Sequence, residues 1–163
     1  MLIRKFQNKD AEVSAKIIQR TFLKLKQDAE AIHQPLKTNV RLMDLAHLLV
    51  LASSAHIYVV ELGAKVIGLG AISSYYGRQH ESLIQSVYID PDHQNKGFGE
   101  ALIRALEKDS FYLRAVSVKV LATNNMIPFF ARFGYQPSEQ YSQNEFEVWL
   151  EKKTGNDIPD EWI

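Results

Sequence analysis

Gln94-Asn95-Lys96-Gly97-Phe98-Gly99 is the stretch of this 163-residue sequence whose residue types and spacing most directly suggest chemistry. It follows the apolar run Leu83–Ile89 and the stop Asp90-Pro91, and it precedes Glu100-Ala101-Leu102, which reads as the start of a helix. The first turn of a helix carries backbone N–H groups without intrahelical partners and the positive end of the helix dipole. Gly97 and Gly99 remove side chains where phosphate oxygens would approach that backbone, and Lys96 adds a cation beside them. A pyrophosphate suits such a turn. Taken alone, G-x-G reads more readily as an ordinary strand-to-helix connection. Two other phosphate motifs fail. Gly97 does not open G-x-x-x-x-G-K-[ST], and Leu102 stands where the dinucleotide fingerprint needs its third glycine.

The remaining reactive residue types are sparse. There is no cysteine, which excludes disulfides, a Cys-ligated zinc site and a thiol nucleophile. The five histidines, His33, His47, His56, His80 and His93, form no H-E-x-x-H pair, so no metal is expected. His80, Tyr75, Tyr76 and Arg78 precede the motif strand and could line an acceptor site, or serve as packing and surface residues. His93 belongs to the turn itself and is expected to be exposed.

The elements that must position the turn follow from periodicity. Leu2–Phe6 reads as a strand, and Asn8 or Asp10 can cap a helix whose buried stripe is Val13, Ile17, Ile18, Phe22 and Leu25. The stripe fades over Lys26–Thr38, which reads as loop or irregular helix. Leu42, Leu45, Leu48 and Leu49 mark a second helix ending near Ser54. His56–Leu62 and Lys65–Tyr75, joined at Gly63-Ala64, read as a β-hairpin. Ser82–Asp90 is a third strand, Glu100–Ser110 a helix and Ala115–Ala122 another strand. Asn124–Phe133 reads as a short helix stopped at Gly134. Phe146, Val148 and Leu150 alternate in a last strand. Strands in a run mixed with crossover helices imply an α/β fold with a mixed sheet covered by helices.

Composition narrows the class. Lys plus Arg and Asp plus Glu number 19 each, so net charge is zero, without the basic excess that general nucleic-acid binding needs. Hydrophobic residues at 46% and charged residues at 23% describe a soluble globular chain. The longest apolar run, near Leu42–Ala55, is too short and too interrupted to cross a bilayer, and the N-terminal residues lack a signal-peptide core. A cytoplasmic protein is the expectation. It consists of one domain over residues 1–153 and a polar tail over residues 154–163.

The whole segment resembles the acyl-CoA-binding motif of the GCN5-related N-acetyltransferases. Their pattern [QR]-x-x-G-x-[GA] is met in full by Gln94–Gly99. The first strand, two helices, the hairpin and Pro128-Phe129-Phe130…Phe133-Gly134-Tyr135 fall in family order. The resemblance implies a mostly antiparallel sheet with helices on both faces. Its central strands, Ile84–Ile89 and Val116–Leu121, would splay to admit the pantetheine of acetyl-CoA, the co-substrate, with no metal. It assigns cofactor binding to Val87, Tyr88 and Ile89 on the strand, to Gln94, Asn95, Lys96, Gly97, Phe98 and Gly99 in the turn, and to Asn124, Phe129 and Phe130 later. Backbone of Val87 and Ile89 would pair with the pantetheine arm, and an N–H near Val87 or Tyr88 would face the developing oxyanion.

Two positions depart from the family pattern. Counting back from Gly134 places Phe130 where many relatives carry a tyrosine that protonates the leaving thiolate. Phenylalanine donates no proton, and it reads equally as a core or pantetheine-packing aromatic. The acid that relatives often place on the motif strand is replaced by Leu83. Glu81, Leu83, Gln85 and Val87 alternate onto one face. Glu81, one pleat earlier than Leu83, is the candidate catalytic base acting through water, or else a carboxylate ending a surface loop. Neutralising a lysine-like amine at pH 7 costs about 4.6 kcal/mol, against about 1 kcal/mol for an α-amine.

The resemblance therefore implies an N-acetyltransferase that moves an acetyl group to a primary amine of a small-molecule or peptide acceptor by direct attack. No nucleic acid or membrane partner is expected, and a homodimer is left open. The alternative is a CoA-binding sensor or regulatory module with little or no turnover.

Overall fold

The computed structural model describes residues 1–31, 45–139, 147–158 and 160. Seven strands lie in one sheet in the order β1-β2-β3-β4-β5-β7-β6. They are β1 (Leu2–Lys5), β2 (His56–Leu62), β3 (Lys65–Tyr75), β4 (Arg78–Ile89), β5 (Ser117–Thr123), β6 (Gln136–Pro137) and β7 (Glu147–Lys153). The helices are α1 (Ala11–Ala31), α2 (Leu45–Ser54), α3 (Phe98–Leu106), α4 (Ser110–Leu113) and α5 (Ile127–Ala131). Short 3-10 turns cover Asn8–Asp10, Pro91–His93 and Asn124–Met126. β4 and β5 pair in parallel, whereas β1–β2, β5–β7 and β6–β7 are antiparallel. The sheet is mixed and mostly antiparallel, as the sequence implied.

The chain forms two compact units, Met1–Ala71 with Ser86–Ala105, and Ile72–Gln85 with Leu106–Ile163. In the first unit, Ile17 and Ile18 of α1, Leu48 of α2, Ile57 and Val59 of β2 and Leu69 of β3 build the core. Each such side chain contributes on the order of 1.5–3 kcal/mol on burial. The start of α1 is fixed by Asp10, whose Oδ2 accepts the Gln7 N–H at 2.8 Å. Arg4 grips the same carboxylate at 2.7 and 3.0 Å and reaches Glu61 at 2.8 Å. The nearly buried Asp10 is thus fully paired, which offsets its desolvation. α1 outlasts its apolar stripe and runs to Ala31. Helix-forming Lys, Gln, Asp and Ala carry it there, with Lys24 and Asp28 paired at 3.5 Å across one turn. The rest of the expected loop, including His33, and the expected helix start at Leu42 lie outside the described residues.

Gly68 of β3 sits under β4. A Cβ there would stand 2.5 Å from Ile89 Cδ1 and 2.9 Å from the Tyr88 carbonyl oxygen, so the two strands pack only over glycine. The Asp90 N–H donates to the Ile67 carbonyl at 2.7 Å and closes β4 onto β3.

In the second unit, Ile84, Val118, Val120, Val148 and Leu150 alternate onto one face and are buried with Phe130 and Tyr135. The opposite face carries Glu81, Leu83, Ser117, Lys119, Trp149 and Glu151, by the registers Leu83↔Lys119 and Lys119↔Glu151. Several boundaries differ from the sequence reading. α3 ends at Leu106, and α4 starts afresh because Asp109 caps it, accepting the Phe111 N–H at 2.8 Å. β4 begins at Arg78, four residues before the expected start at Ser82, because the turn is confined to Tyr76-Gly77, both with positive φ. The short β6 was not expected, and Pro137 within it gives no strand signal. Phe146 and the apolar end of the tail, Trp162 and Ile163, lie outside the described residues.

Candidate active site

The turn after β4 is built from the strand outward. Asp90 caps the Pro91–His93 turn, its Oδ1 accepting the Asp92 N–H at 3.1 Å. Arg20 of α1 donates to Asp90 Oδ2 at 2.5 Å and to Asp92 Oδ2 at 2.8 Å, so a helix on the same unit clamps the turn. Gln94 folds back and its Nε2 donates to the Ile89 carbonyl at 3.0 Å. The glutamine that the motif demands therefore ties the turn to the strand end. Lys96 Nζ donates to the Asp92 carbonyl at 3.2 Å and stays exposed. His93, expected to be exposed, is half-buried and meets the Phe98 ring edge-on at 6.3 Å between centroids.

The backbone between Gln94 and Phe98 alternates in hand. Asn95 has φ +60° and Gly97 φ +85°, while Lys96 between them and Phe98 after them are not left-handed. Such alternation turns successive N–H groups inward to form an anion-binding concavity. A Cβ at Gly97 would meet no atom within 4 Å, so its surroundings are open as well as conformationally selective for glycine. Gly99 lies in the first turn of α3. These are the features a phosphate group requires, and they belong to the chain's own geometry.

Val87, Tyr88 and Ile89 end β4 in the same unit. Ser86 before them has φ +56°, an unusual value for a non-glycine residue within a strand, and it marks a bulge. The bulge corrects the sequence reading. Alternation holds through Gln85, with Ser82 and Ile84 buried between half-buried neighbours, but it breaks at Ser86, so counting by twos cannot carry Val87 onto the Glu81 face. The parallel register with β5 is described from Glu81↔Ser117 to Ile84↔Val120, and β4 runs on to Ile89. Tyr88 packs against Phe22 at 5.7 Å, and burial pushes its hydroxyl above the ordinary tyrosine range.

Asn124, Phe129 and Phe130 belong to the second unit. Asn124 is exposed at the head of the short turn before α5. Phe130 is 3% exposed and sits edge-to-face with Phe129 at 5.1 Å and Tyr135 at 5.9 Å. Phe129 also meets Phe133 at 5.3 Å. Phe130 is thus a member of an aromatic cluster. Tyr135 donates from its hydroxyl to Glu107 at 3.0 Å, and burial beside that carboxylate raises its pKa.

Glu81 lies on the other face of the same unit, paired twice. Lys119 Nζ donates to Oε1 at 2.6 Å and Arg78 donates to Oε2 at 2.6 Å. Burial pushes the Glu81 carboxyl up, but those two hydrogen bonds and charges outweigh it and hold it below the ordinary glutamate range. A carboxylate so held is a weaker proton acceptor than an unpaired glutamate. Lys119 and Arg20 were both missed by sequence reasoning. Arg20 gave no signal on a polar helix face. Lys119, paired with Leu83 and reaching diagonally to Glu81, was legible only once the register was known. Among the described residues there is no group of three His, Asp or Glu that could hold a metal. Among them, too, no helix is long and apolar enough to cross a membrane.

Comparison with known proteins places the fold. A family profile described as an acetyltransferase (GNAT) domain matches residues 53–137, just over half of the chain. No curated protein sequence matches. Among solved structures, the PaiA N-acetyltransferase from Thermoplasma acidophilum, in complex with coenzyme A, superposes with TM-score 0.75 at 13% identity, covering 93% of this chain and 98% of that one. YncA from Salmonella typhimurium, solved with its cofactor acetyl-CoA, gives TM-score 0.73 at 16% identity over 98% of both chains. Rv2747 from Mycobacterium tuberculosis, in complex with CoA, gives 0.71 at 17% identity over 94% of this chain and 99% of that one. At these identities the likeness is one of fold.

Proposed function

The chain belongs to the acetyltransferase (GNAT) family, and on that premise we propose that it transfers an acetyl group from acetyl-CoA to a primary amine of a small-molecule or peptide acceptor by direct attack. The observation that carries the reading is the turn Gln94–Gly99. Its left-handed Asn95 and Gly97, the open space at Gly97 and the first turn of α3 fit a pyrophosphate. Acetyl-CoA, when bound, supplies an activated acetyl thioester.

Each residue then has a part. Backbone N–H groups over Asn95–Gly99 hold phosphate oxygens, with Lys96 as the adjacent cation and Gln94 holding the turn against β4. Val87 and Ile89 offer strand backbone to the pantetheine, and the bulge at Ser86 supports that role by re-aiming the strand end. An N–H at Val87 or Tyr88 faces developing negative charge on the acetyl oxygen. Phe98, Asn124 and Phe129 contribute contacts to the cofactor, and Phe130 backs Phe129. Phe130 offers no proton, so the thiolate of a CoA thiol, with an ordinary pKa of ~8.5, leaves with water's help. Without a cysteine there is no thiol on the enzyme to carry the acetyl group. Glu81 enters as a fixed negative charge at the acceptor side. We place this chemistry in the cytoplasm, in keeping with the absence of cysteine.

A CoA-binding sensor with little turnover is the competing reading, favoured by one observation, the engagement of Glu81 by Lys119 and Arg78. Titration calorimetry with CoA tests the shared premise. Binding accompanied by a rise in melting temperature is expected, since a ligand bound only to the native state stabilises it by mass action. Absence of binding at millimolar CoA would overturn both readings.

A further inference from the structure

Lys119 is a lysine placed where strand physics expects an apolar residue. Its side chain is 1% exposed, in the middle of β5. Its ammonium lies 2.6 Å from Glu81, 3.3 Å from Ser117 Oγ, 3.9 Å from Glu151 and 4.8 Å from the Tyr75 ring centre. The charged and titratable groups around Glu81 are thus Arg78 on its own strand, Lys119 on β5 and Tyr75 on β3. Glu151 and Lys153 follow on β7. Glu151 is equally engaged, by Ser117 at 2.5 Å and Lys153 at 2.8 Å. Leu83, beside Lys119 in register, supplies no acid. Glu81 and Glu151, the two carboxylates nearest Lys119, are both held by cations.

We propose that Lys119 is a positioning residue that keeps Glu81 from taking a proton, so that the enzyme selects weakly basic primary amines, of the α-amino class, about one in seven of which is neutral at pH 7. The inference deepens the acetyltransferase reading and rests on it. In the step implied, the neutral amine nitrogen bonds to the thioester carbonyl carbon and the carbon–sulfur bond breaks. The proton shed by nitrogen passes through solvent to the departing thiolate, giving an amide and free CoA. An amine that begins as an ammonium ion must first lose a proton to solvent, because Glu81 is not free to remove it. The direction of the Glu81 pKa, held down by Lys119 and Arg78 against burial, agrees with this geometry.

The neutral fraction at pH 7 differs by about 400-fold between an α-amine of pKa ~7.8 and a lysine ε-amine of pKa ~10.4. The weaker base is the weaker nucleophile, which returns part of that factor, so a preference of at least about tenfold is expected.

The test uses the full-length enzyme, acetyl-CoA and two probes, a dipeptide amide with a free α-amine and an Nα-blocked lysine amide. The wild-type protein should prefer the α-amine at least about tenfold in kcat/KM. For each probe kcat/KM should climb tenfold per pH unit and level at that amine's own pKa. A base that deprotonates a bound ammonium would instead give a plateau beginning at an enzyme pKa common to both probes. Lys119→Met should raise the Glu81 pKa and introduce such a plateau, and Lys119→Arg should restore the wild-type slope. Glu81→Gln should leave the slope unchanged. The wild-type profiles need no variant, so misfolding of Lys119→Met leaves the inference exposed to test. A wild-type plateau shared by both probes, or a preference for the lysine probe, overturns this inference and leaves the acetyltransferase reading standing. Transfer to no amine at all overturns that reading and this inference together.

Discussion

Lys119 Nζ and Glu81 Oε1 stand 2.6 Å apart, with the lysine side chain 1% exposed and the glutamate side chain 22% exposed. The pair joins the two parallel strands of the sheet at the start of their register, where Glu81 faces Ser117 and Leu83 faces Lys119. A buried pair of this kind is weak evidence for stability, but removing one partner leaves an uncompensated charge at a cost of about 3–5 kcal/mol.

Gly97→Val should weaken CoA binding by at least about tenfold. A branched residue at φ +85° carries a left-handed penalty of about 1–2 kcal/mol, and its side chain enters the open space above the turn. Calorimetry on folded protein checks this. Wild-type affinity in the valine variant would place the phosphates elsewhere.

Phe130→Leu should retain acetyl transfer within about tenfold, or about 1.4 kcal/mol, because no proton donor is removed. Phe130→Ala should instead destabilise the fold by about 3–5 kcal/mol, since Phe130 packs edge-to-face with Phe129 and Tyr135. Urea unfolding and turnover measured on the same samples separate packing from chemistry. A loss beyond a hundredfold in Phe130→Leu, with stability kept, would give the ring a role in transfer.

Gly68→Ala should lower stability by about 1–3 kcal/mol through overpacking, because the added carbon meets Ile89 at 2.5 Å and the Tyr88 carbonyl at 2.9 Å. For a chain of this size each kcal/mol shifts Tm by about 2–4 °C. The displacement also falls on the strand end proposed for the cofactor, so CoA affinity should fall with Tm. An unchanged Tm would show that the two strands are not locked together at Gly68.

Acid should unfold the protein in part through Asp10. Its hydrogen bond from Arg4 lowers its pKa against burial, with the Gln7 N–H adding to the effect. A depressed carboxylate stabilises the fold above its unfolded pKa of ~3.9, and that contribution is lost as pH falls through the lower folded value. Asp10→Asn should therefore flatten the stability profile below pH ~4. Asp10→Ala should cost about 1–3 kcal/mol at neutral pH by leaving the Gln7 N–H without its acceptor and Arg4 with Glu61 alone. Urea midpoints between pH 2.5 and 7 read both.

Much of this was legible in the residues. The hairpin bounds His56–Leu62 and Lys65–Tyr75 were read correctly because β-branched runs flank a Gly63-Ala64 turn in which both residues have positive φ. The strand–turn–helix geometry around Gln94–Gly99 was legible because its signals, Pro91 and the glycines, are local. The left-handed Ser86 was not, since serine carries no signal for such a strand residue. α1 outran its apolar stripe because helix propensity and i,i+4 pairing extend a helix without burial. Lys119 was invisible because its meaning depends on a partner 38 residues away.

The most direct measurement is mass-balanced turnover. Purified protein is incubated with acetyl-CoA and a panel of primary amines, free CoA is followed by a thiol reagent, and acetylated amine by mass spectrometry. The account expects CoA release matched one-to-one by an N-acetyl product, which is possible to read cleanly because the chain contributes no thiol of its own. Tight CoA binding with no acetylated amine across the panel would contradict it and leave a CoA sensor in its place.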